Sequence, residues 1–193
     1  PLKTITTGEG GAISTQNKFL ANKIIKLRSH GFLNKREMTY NVENPGFNFR
    51  LSDINCALGL SQLRKINKLL NHRKLIFRYY LKNLDGYKNT IYILNKEYRN
   101  SSCHLVIAKI NFEKLNISKQ KFYSLLKKKG IICQYHYIPQ YKFDLYKKNK
   151  ILKNSEIYFL NHISLPIHLL ISKKKIEYTV KQIKKVIDKN LPK

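Results

Sequence analysis

Tryptophan is absent, acidic side chains are scarce and long apolar runs are missing, and each absence narrows what this chain can be. No stretch approaches the ~20 consecutive apolar residues of a membrane-spanning helix, and no charged-then-apolar leader opens the sequence, so the expected location is the cytoplasm, with no membrane partner. Cysteine is limited to Cys56, Cys103 and Cys133. An odd number without a Cys-x-x-Cys pair argues against a disulfide framework and a zinc site, and the three are expected to be buried apolar side chains. Asp and Glu total 11 against 38 Lys and Arg, a formal net charge of +27. Taken alone, that excess suggests nucleic acid or an anionic surface. Lysine, however, is abundant together with Asn, Ile, Tyr and Phe while Ala is scarce, the bias that an AT-rich coding sequence imposes on any protein. The runs Lys127–Lys129, Lys147–Lys148 and Lys173–Lys175 fall at expected helix ends or in loops, with no readable nucleic-acid motif beside them, so no nucleic-acid partner is expected. The surface should still attract anions, which suits a nucleotide-linked substrate.

What is present is an ordinary globular composition: 193 residues, 42% of them hydrophobic, enough for one sizeable core or for one domain plus part of another. The opening Pro1-Leu2-Lys3 runs straight into a strand-like segment, and the chain is expected to be a fragment of a larger fold. Short β-prone runs flank Gly8-Glu9-Gly10-Gly11 and read as a hairpin over residues 5–15. Helical spacing of Phe19, Leu20, Ile24, Ile25 and Leu27, closed by Gly31, gives a first amphipathic helix. A loop over residues 32–50 leads to Ser52, a candidate cap. One long helix is expected from Asp53 to about Leu84, ended by Asp85-Gly86. Beyond it the spacing predicts strands at Cys103–Ile110 and Ile131–Tyr137, helices at Ser118–Lys129 and about Ser155–His162, an extended Ser164–His168 and a final helix at Lys173–Ile187. Strand, helix and strand in succession indicate an α/β or α+β domain. The boundary is placed so that residues 1–80 form one domain with a bridging helix and residues 81–193 a second, smaller one.

Lys3-Thr4-Ile5-Thr6-Thr7-Gly8-Glu9-Gly10-Gly11-Ala12 resembles the segment around the cofactor lysine in the DegT/DnrJ/EryC1/StrS family of sugar aminotransferases. Further stretches follow in the order that family has them: Leu27-Arg28-Ser29-His30-Gly31, then Gly46-Phe47-Asn48-Phe49-Arg50-Leu51-Ser52-Asp53 and on to Leu63, then Gln134-Tyr135-His136-Tyr137-Ile138-Pro139, and Ile163-Ser164-Leu165-Pro166-Ile167-His168. The resemblance extends over nearly the whole chain. It implies an α/β fold, the C-terminal portion of a fold-type I enzyme that uses pyridoxal 5'-phosphate (PLP). Within the family the likeness is greatest to members that aminate C4 of a UDP-linked 4-keto-6-deoxy sugar on the way to pseudaminic acid. L-glutamate as amino donor, and a homodimer whose subunits share the active site, are implied with it.

Alone, Lys3 is one lysine among many and reads as a solvated side chain; the resemblance makes it the residue that carries the cofactor. A primary amine can condense with an aldehyde, which a guanidinium cannot do. Glycines at 8, 10 and 11 would let the backbone pass close to the cofactor, and a strand would hold Lys3 rigidly. Asn48 is either a turn residue before the Ser52 cap or, as the resemblance implies, a group reaching across a dimer interface toward the cofactor phosphate. Arg50 joins it as a cofactor contact, against the alternative of an interface salt bridge. His30 near a helix end can satisfy terminal carbonyls equally well. His104, His136 and Tyr137 are possible sugar-nucleotide contacts by resemblance and structural groups otherwise, and Glu9 reads as a turn-stabilising carboxylate. Relatives supply an aspartate, a stacking ring and a hydroxyl to the cofactor from sequence preceding the lysine, so residues 1–193 alone are expected to bind it weakly and not to turn over. Three alternatives stand beside this reading: a dehydratase of the same family, in which histidine replaces the lysine, a basic nucleic-acid-binding module, and a remnant that only folds or dimerises.

Overall fold

The structure is a computed structural model in which residues 3–32, 41–42, 44–94, 97–146 and 151–192 are described. Pro1, Leu2, residues 33–40 and 43 of the expected 32–50 loop and the pair Lys147–Lys148 lie outside them. Packing divides the chain into two compact units, Pro1–Ile66 and Asn67–Lys193. The boundary expected between residues 80 and 81 falls inside a helix.

In the first unit, α1 (Lys18–Arg28) starts at Asn17, whose side chain accepts the Leu20 N–H at 3.0 Å. It stops at Gly31, where a φ of 75° lets the N–H turn back to the Lys26 carbonyl at 2.8 Å. α2 (Asp53–Leu63) is capped by Ser52, which accepts the Asn55 N–H at 3.3 Å. The expected single helix from Asp53 to Leu84 is two, α2 and α3 (Ile66–Leu84). At the junction the Lys65 N–H bonds the Gln62 carbonyl, three residues back, at 3.0 Å. Such a tightened turn ends one helix before the next begins, while the apolar spacing Leu63, Ile66, Leu69 runs through it unchanged. The hairpin expected over residues 5–15 forms no ladder, because its threonines satisfy the backbone locally. Thr6 Oγ1 accepts the Gly8 N–H at 3.2 Å, Thr7 Oγ1 donates to the Glu9 carbonyl at 3.0 Å, and the Thr6 N–H goes to Gln62 Oε1 at 3.1 Å. Neither α1 nor α2 buries a large side chain; Phe19 and Ile54 are 78% and 82% exposed. Cys56 on α2 is also exposed, unlike the buried Cys103 and Cys133, because the Thr6–Thr7 segment covers α2 at Gly59 and not at Cys56.

The second unit is built on an antiparallel sheet of β1 (Ile91–Ile93), β2 (Val106–Ile110) and β3 (His162–Leu165), in that order. Ile91 lies opposite Ile110, Ile93 opposite Ala108, and Ala108 opposite Ile163. Alternation along β2 sends Val106, Ala108 and Ile110 into the core and leaves Lys109 outside. The strand expected at Ile131–Tyr137 reduces to one bridge between Gln134 and Ser164, whose N–H groups and carbonyls pair at 3.0 and 2.8 Å. Two further helices pack here, α4 (Lys119–Lys127) and α6 (Lys173–Asn190), capped by Ser118 and Ser172. α3 buries Arg73, Ile76, Phe77, Tyr80 and Leu84, a single face at helical spacing. With Phe122 and Leu126 of α4, Val180 and Ile183 of α6 and the inner sheet face, Ile76, Phe77, Tyr80 and Leu84 form one apolar core. Full burial of each such side chain contributes roughly 1.5–3 kcal/mol. α5 (Lys153–Asn161) buries no residue and carries Glu156, Tyr158 and Phe159 beside the 137–146 loop. No helix among the described residues is long and apolar enough to cross a membrane.

Candidate active site

Residues 27–30 and 47–49 lie antiparallel. The Phe47 N–H bonds the Leu27 carbonyl at 2.7 Å, the His30 N–H bonds Phe47 at 3.0 Å, and the Phe49 N–H bonds Arg28 at 3.0 Å. Close approach is possible because position 46 is glycine: a Cβ there would stand 2.2 Å from the Gly31 nitrogen. The pairing sets three side chains together. Arg50 Nε donates to Asn48 Oδ1 at 3.1 Å, and Arg50 Nη2 reaches His30 Nε2 at 3.4 Å. The oxygen of the exposed Asn48 is engaged by Arg50, which leaves its NH2 group as the donor, and no carboxylate among the described residues neutralises Arg50. A guanidinium and an amide N–H side by side on an exposed surface match the acceptor oxygens of a phosphate. The structure therefore brings Asn48 and Arg50 together and adds His30 to them.

Lys3 is exposed and lies in a bend rather than a strand, so its rigidity does not come from a sheet. The segment after it is held against α2 by the Thr6–Gln62 bond and by close packing at two glycines. A Cβ on Gly59 would meet Thr7 Cγ2 at 2.9 Å, and one on Gly10 would meet a Leu51 methyl at the same distance. Among the described residues no hydrogen bond or ion pair joins Lys3 to Asn48 or Arg50.

The remaining candidates lie in the second unit. His136 Nδ1 and Ser164 Oγ share a hydrogen bond of 2.7 Å, which fixes the imidazole against β3. Tyr137, 66% exposed, meets that ring edge-on at 4.7 Å. His104 is half-buried just before β2, and its carbonyl accepts Arg73 Nη1 at 3.2 Å. Sequence reasoning missed Ser164, although it lies in the Ser-Leu-Pro stretch already singled out, and it missed Lys119. Lys119 Nζ stands over the faces of Tyr135 and Phe159, 4.2 and 4.4 Å from their centroids, and donates to the Phe159 carbonyl. Burial pushes its pKa down to about 8, while the two ring faces and the carbonyl oxygen favour the charge. Burial also pulls His162 below the usual histidine range, and Lys142 and Tyr141 bonded to Glu156 hold that carboxyl below its ordinary value. No group of three or more His, Cys, Asp or Glu side chains able to hold a metal occurs among the described residues.

The family model described as the DegT/DnrJ/EryC1/StrS aminotransferase family matches residues 1–184. Over 194 residues the chain is 37% identical to the UDP-4-amino-4,6-dideoxy-N-acetyl-beta-L-altrosamine transaminase of Campylobacter jejuni, covering 98% of this chain and 51% of that protein. Among solved structures it is similar to PseC of Helicobacter pylori, an aminotransferase involved in the biosynthesis of pseudoaminic acid. The TM-score is 0.87 at 32% identity, over 96% of this chain and 51% of that one. It is also similar to Spr1654 of Streptococcus pneumoniae, assigned as a sugar aminotransferase and solved in a PMP-form, at 25% identity and a TM-score of 0.76, over 94% of this chain and 48% of that one. The chain spans about half the length of the relatives it matches.

Proposed function

This chain belongs to the DegT/DnrJ/EryC1/StrS aminotransferase family, and we propose that the protein transfers an amino group from L-glutamate to a UDP-linked 4-keto-6-deoxy sugar in the biosynthesis of pseudaminic acid or a related surface sugar, using PLP. The observation that carries this reading is that one family match, over residues 1–184, takes in Lys3, Asn48, Arg50, His104, His136 and Tyr137 together. Support for the substrate comes from the Campylobacter and Helicobacter relatives, and support for the cofactor from the PMP-form of the Streptococcus protein. The dehydratase and nucleic-acid alternatives draw no support from these relatives.

The residues present fit the cofactor: Lys3 offers an exposed primary amine, and the Arg50–Asn48 pair offers donors suited to a phosphate. When bound, PLP supplies an aldehyde with which an amine condenses and a ring that withdraws electrons from the reacting carbon. Asn48 Nδ2 and the Arg50 guanidinium would orient the phosphate. Once free and neutral, Lys3 Nζ would take the proton from the α-carbon of glutamate and, in the second half-reaction, deliver one to C4 of the sugar. His136, fixed by Ser164, and Tyr137 would contact the sugar nucleotide, as would His104 beside β2. Exposed apolar side chains on α1 and α2, with the stacked rings of Phe47 and Phe49 4.7 Å apart, support a homodimer in which Asn48 approaches the phosphate bound by the partner subunit. The cytoplasm is the location proposed for the reaction.

The test is to incubate the full-length protein with glutamate and the UDP-linked keto sugar and to follow the sugar by mass spectrometry. Amino-sugar and 2-oxoglutarate should form in equal amounts, and Lys3→Arg should abolish both. Amination that survives Lys3→Ala, or a dehydrated product instead of an aminated one, would refute the proposal.

A further inference from the structure

The 137–146 loop and α5 enclose a cleft of about 770 Å³ in the second unit. Its walls are the rings of Tyr135, Tyr137, Phe143 and Tyr158 with Pro139, and its polar groups are the neutral side chains of Gln140, Asn154 and Ser155. Among the described residues no charged side chain lines it.

These walls are held from behind. Lys119 is clamped between Tyr135 and Phe159, so α4, the Tyr135 segment and α5 share one cation. Tyr135 also lies 5.8 Å from the ring of Tyr123 and 6.4 Å from that of Phe159. On the loop side, Glu156 of α5 accepts the Tyr141 hydroxyl at 2.7 Å and pairs with Lys142 at 2.7 Å, which ties the loop to the helix. His162 stacks on Tyr158 with centroids 4.2 Å apart. Tyr137 and Phe143 nonetheless remain largely exposed. Aromatic faces fixed in place and left open to water form a preorganised surface, in which little ordering is left for a ligand to impose.

The lining selects the ligand. Among the described lining residues a diphosphate or carboxylate would find no cation, and an extended apolar chain would leave the amide and hydroxyl groups unmatched. A neutral ring with an apolar face and polar edges satisfies both, its face on the tyrosines and its edges on Asn154, Ser155 and Gln140. We propose that this cleft is a subsite for a neutral ring of the sugar nucleotide, pyranose or pyrimidine, with Phe143 and Tyr158 as stacking faces and Asn154 reading the ring edge. The assignment rests on the sugar-nucleotide reading given above and locates part of that substrate on the protein.

Amide resonances of the full-length protein, titrated separately with UDP-N-acetylglucosamine, uridine and N-acetylglucosamine, test it. The sugar nucleotide and one of the two fragments should saturably shift Tyr137, Asn154 and Tyr158, and which fragment does so identifies the ring. Phe143→Ala, at an exposed loop position, should weaken binding about tenfold. Tyr158→Ala should do the same, and Asn154→Ala should cost less. Lys119→Met, which touches no ligand, should weaken binding while leaving the far-ultraviolet spectrum unchanged. The proposal is overturned if none of the three compounds shifts these residues, if Phe143→Ala binds as the parent does, or if the cleft proves to be covered by a second copy of the chain in solution. In the full-length protein, amination with an unchanged sugar-nucleotide KM in Phe143→Ala would remove the subsite and leave the aminotransferase reading intact. Ring binding without amination would do the reverse.

Discussion

Replacing Gly46 with alanine tests how the Asn48–Arg50 pair is positioned. A Cβ at this position would stand 2.2 Å from the Gly31 nitrogen and 2.6 Å from the His30 carbonyl carbon, where ordinary contact begins at 3.4 Å. Both neighbours are backbone, so no side chain can swing aside, and the two segments must part by about 1 Å, enough to break hydrogen bonds of ordinary length. Three such bonds cross this seam: Phe47 to Leu27, His30 to Phe47 and Phe49 to Arg28. At about 0.5–1.5 kcal/mol net for each, the first unit should lose about 2–4 kcal/mol. Gly11→Ala is the matched control, since a Cβ there meets nothing within 4 Å, and it should change stability by less than about 1 kcal/mol. Hydrogen exchange read at the His30, Phe47 and Phe49 amides is the direct assay, with phosphate affinity as a second readout. Gly46→Ala should raise the exchange of all three and weaken phosphate binding, while Gly11→Ala does neither. Unchanged protection in Gly46→Ala would refute the claim that this close approach sets the pair.

Other expectations follow from the second unit. Tyr80 is fully buried and its hydroxyl donates to the Pro166 carbonyl at 2.9 Å, so Tyr80→Phe should cost about 1–3 kcal/mol in urea unfolding by leaving that carbonyl without its donor. Leu126→Ala, in the centre of the core, should cost about 2–5 kcal/mol in the same assay. Lys119 has a folded pKa of about 8 against an ordinary 10.5. Between those values the unfolded chain holds a proton that the folded chain has shed, so this group makes stability rise with pH across that window. Lys119→Met should flatten that rise, as unfolding curves recorded at several pH values would show.

Elements with uninterrupted periodicity were legible in the sequence. α1 closed by Gly31, β2, and α6 with its buried Ile176, Val180, Ile183 and Ile187 fall where apolar spacing and the closing glycine put them. Periodicity failed where a short-range event leaves the spacing intact. The turn at Arg64-Lys65 divides an apolar stripe that still reads as one helix. The threonines at 6 and 7 turn a β-prone segment into side-chain-bonded loop. β1 is only three residues long, too short for alternation to mark it, and without it the antiparallel order of the sheet was not readable. At the candidate site Asn48 and Arg50 were readable from one local stretch, whereas the contact with His30 depends on a seam twenty residues apart in sequence. The roles of Ser164 and Lys119 depend on long-range partners, His136 and the rings of Tyr135 and Phe159, which no local pattern encodes.

Sodium borohydride reduction of the full-length protein saturated with PLP, followed by peptide mass spectrometry, tests the central claim most directly. A single added pyridoxyl phosphate group on the peptide containing Lys3 is the predicted result. A label on a different lysine, with Lys3 recovered unmodified, would contradict it.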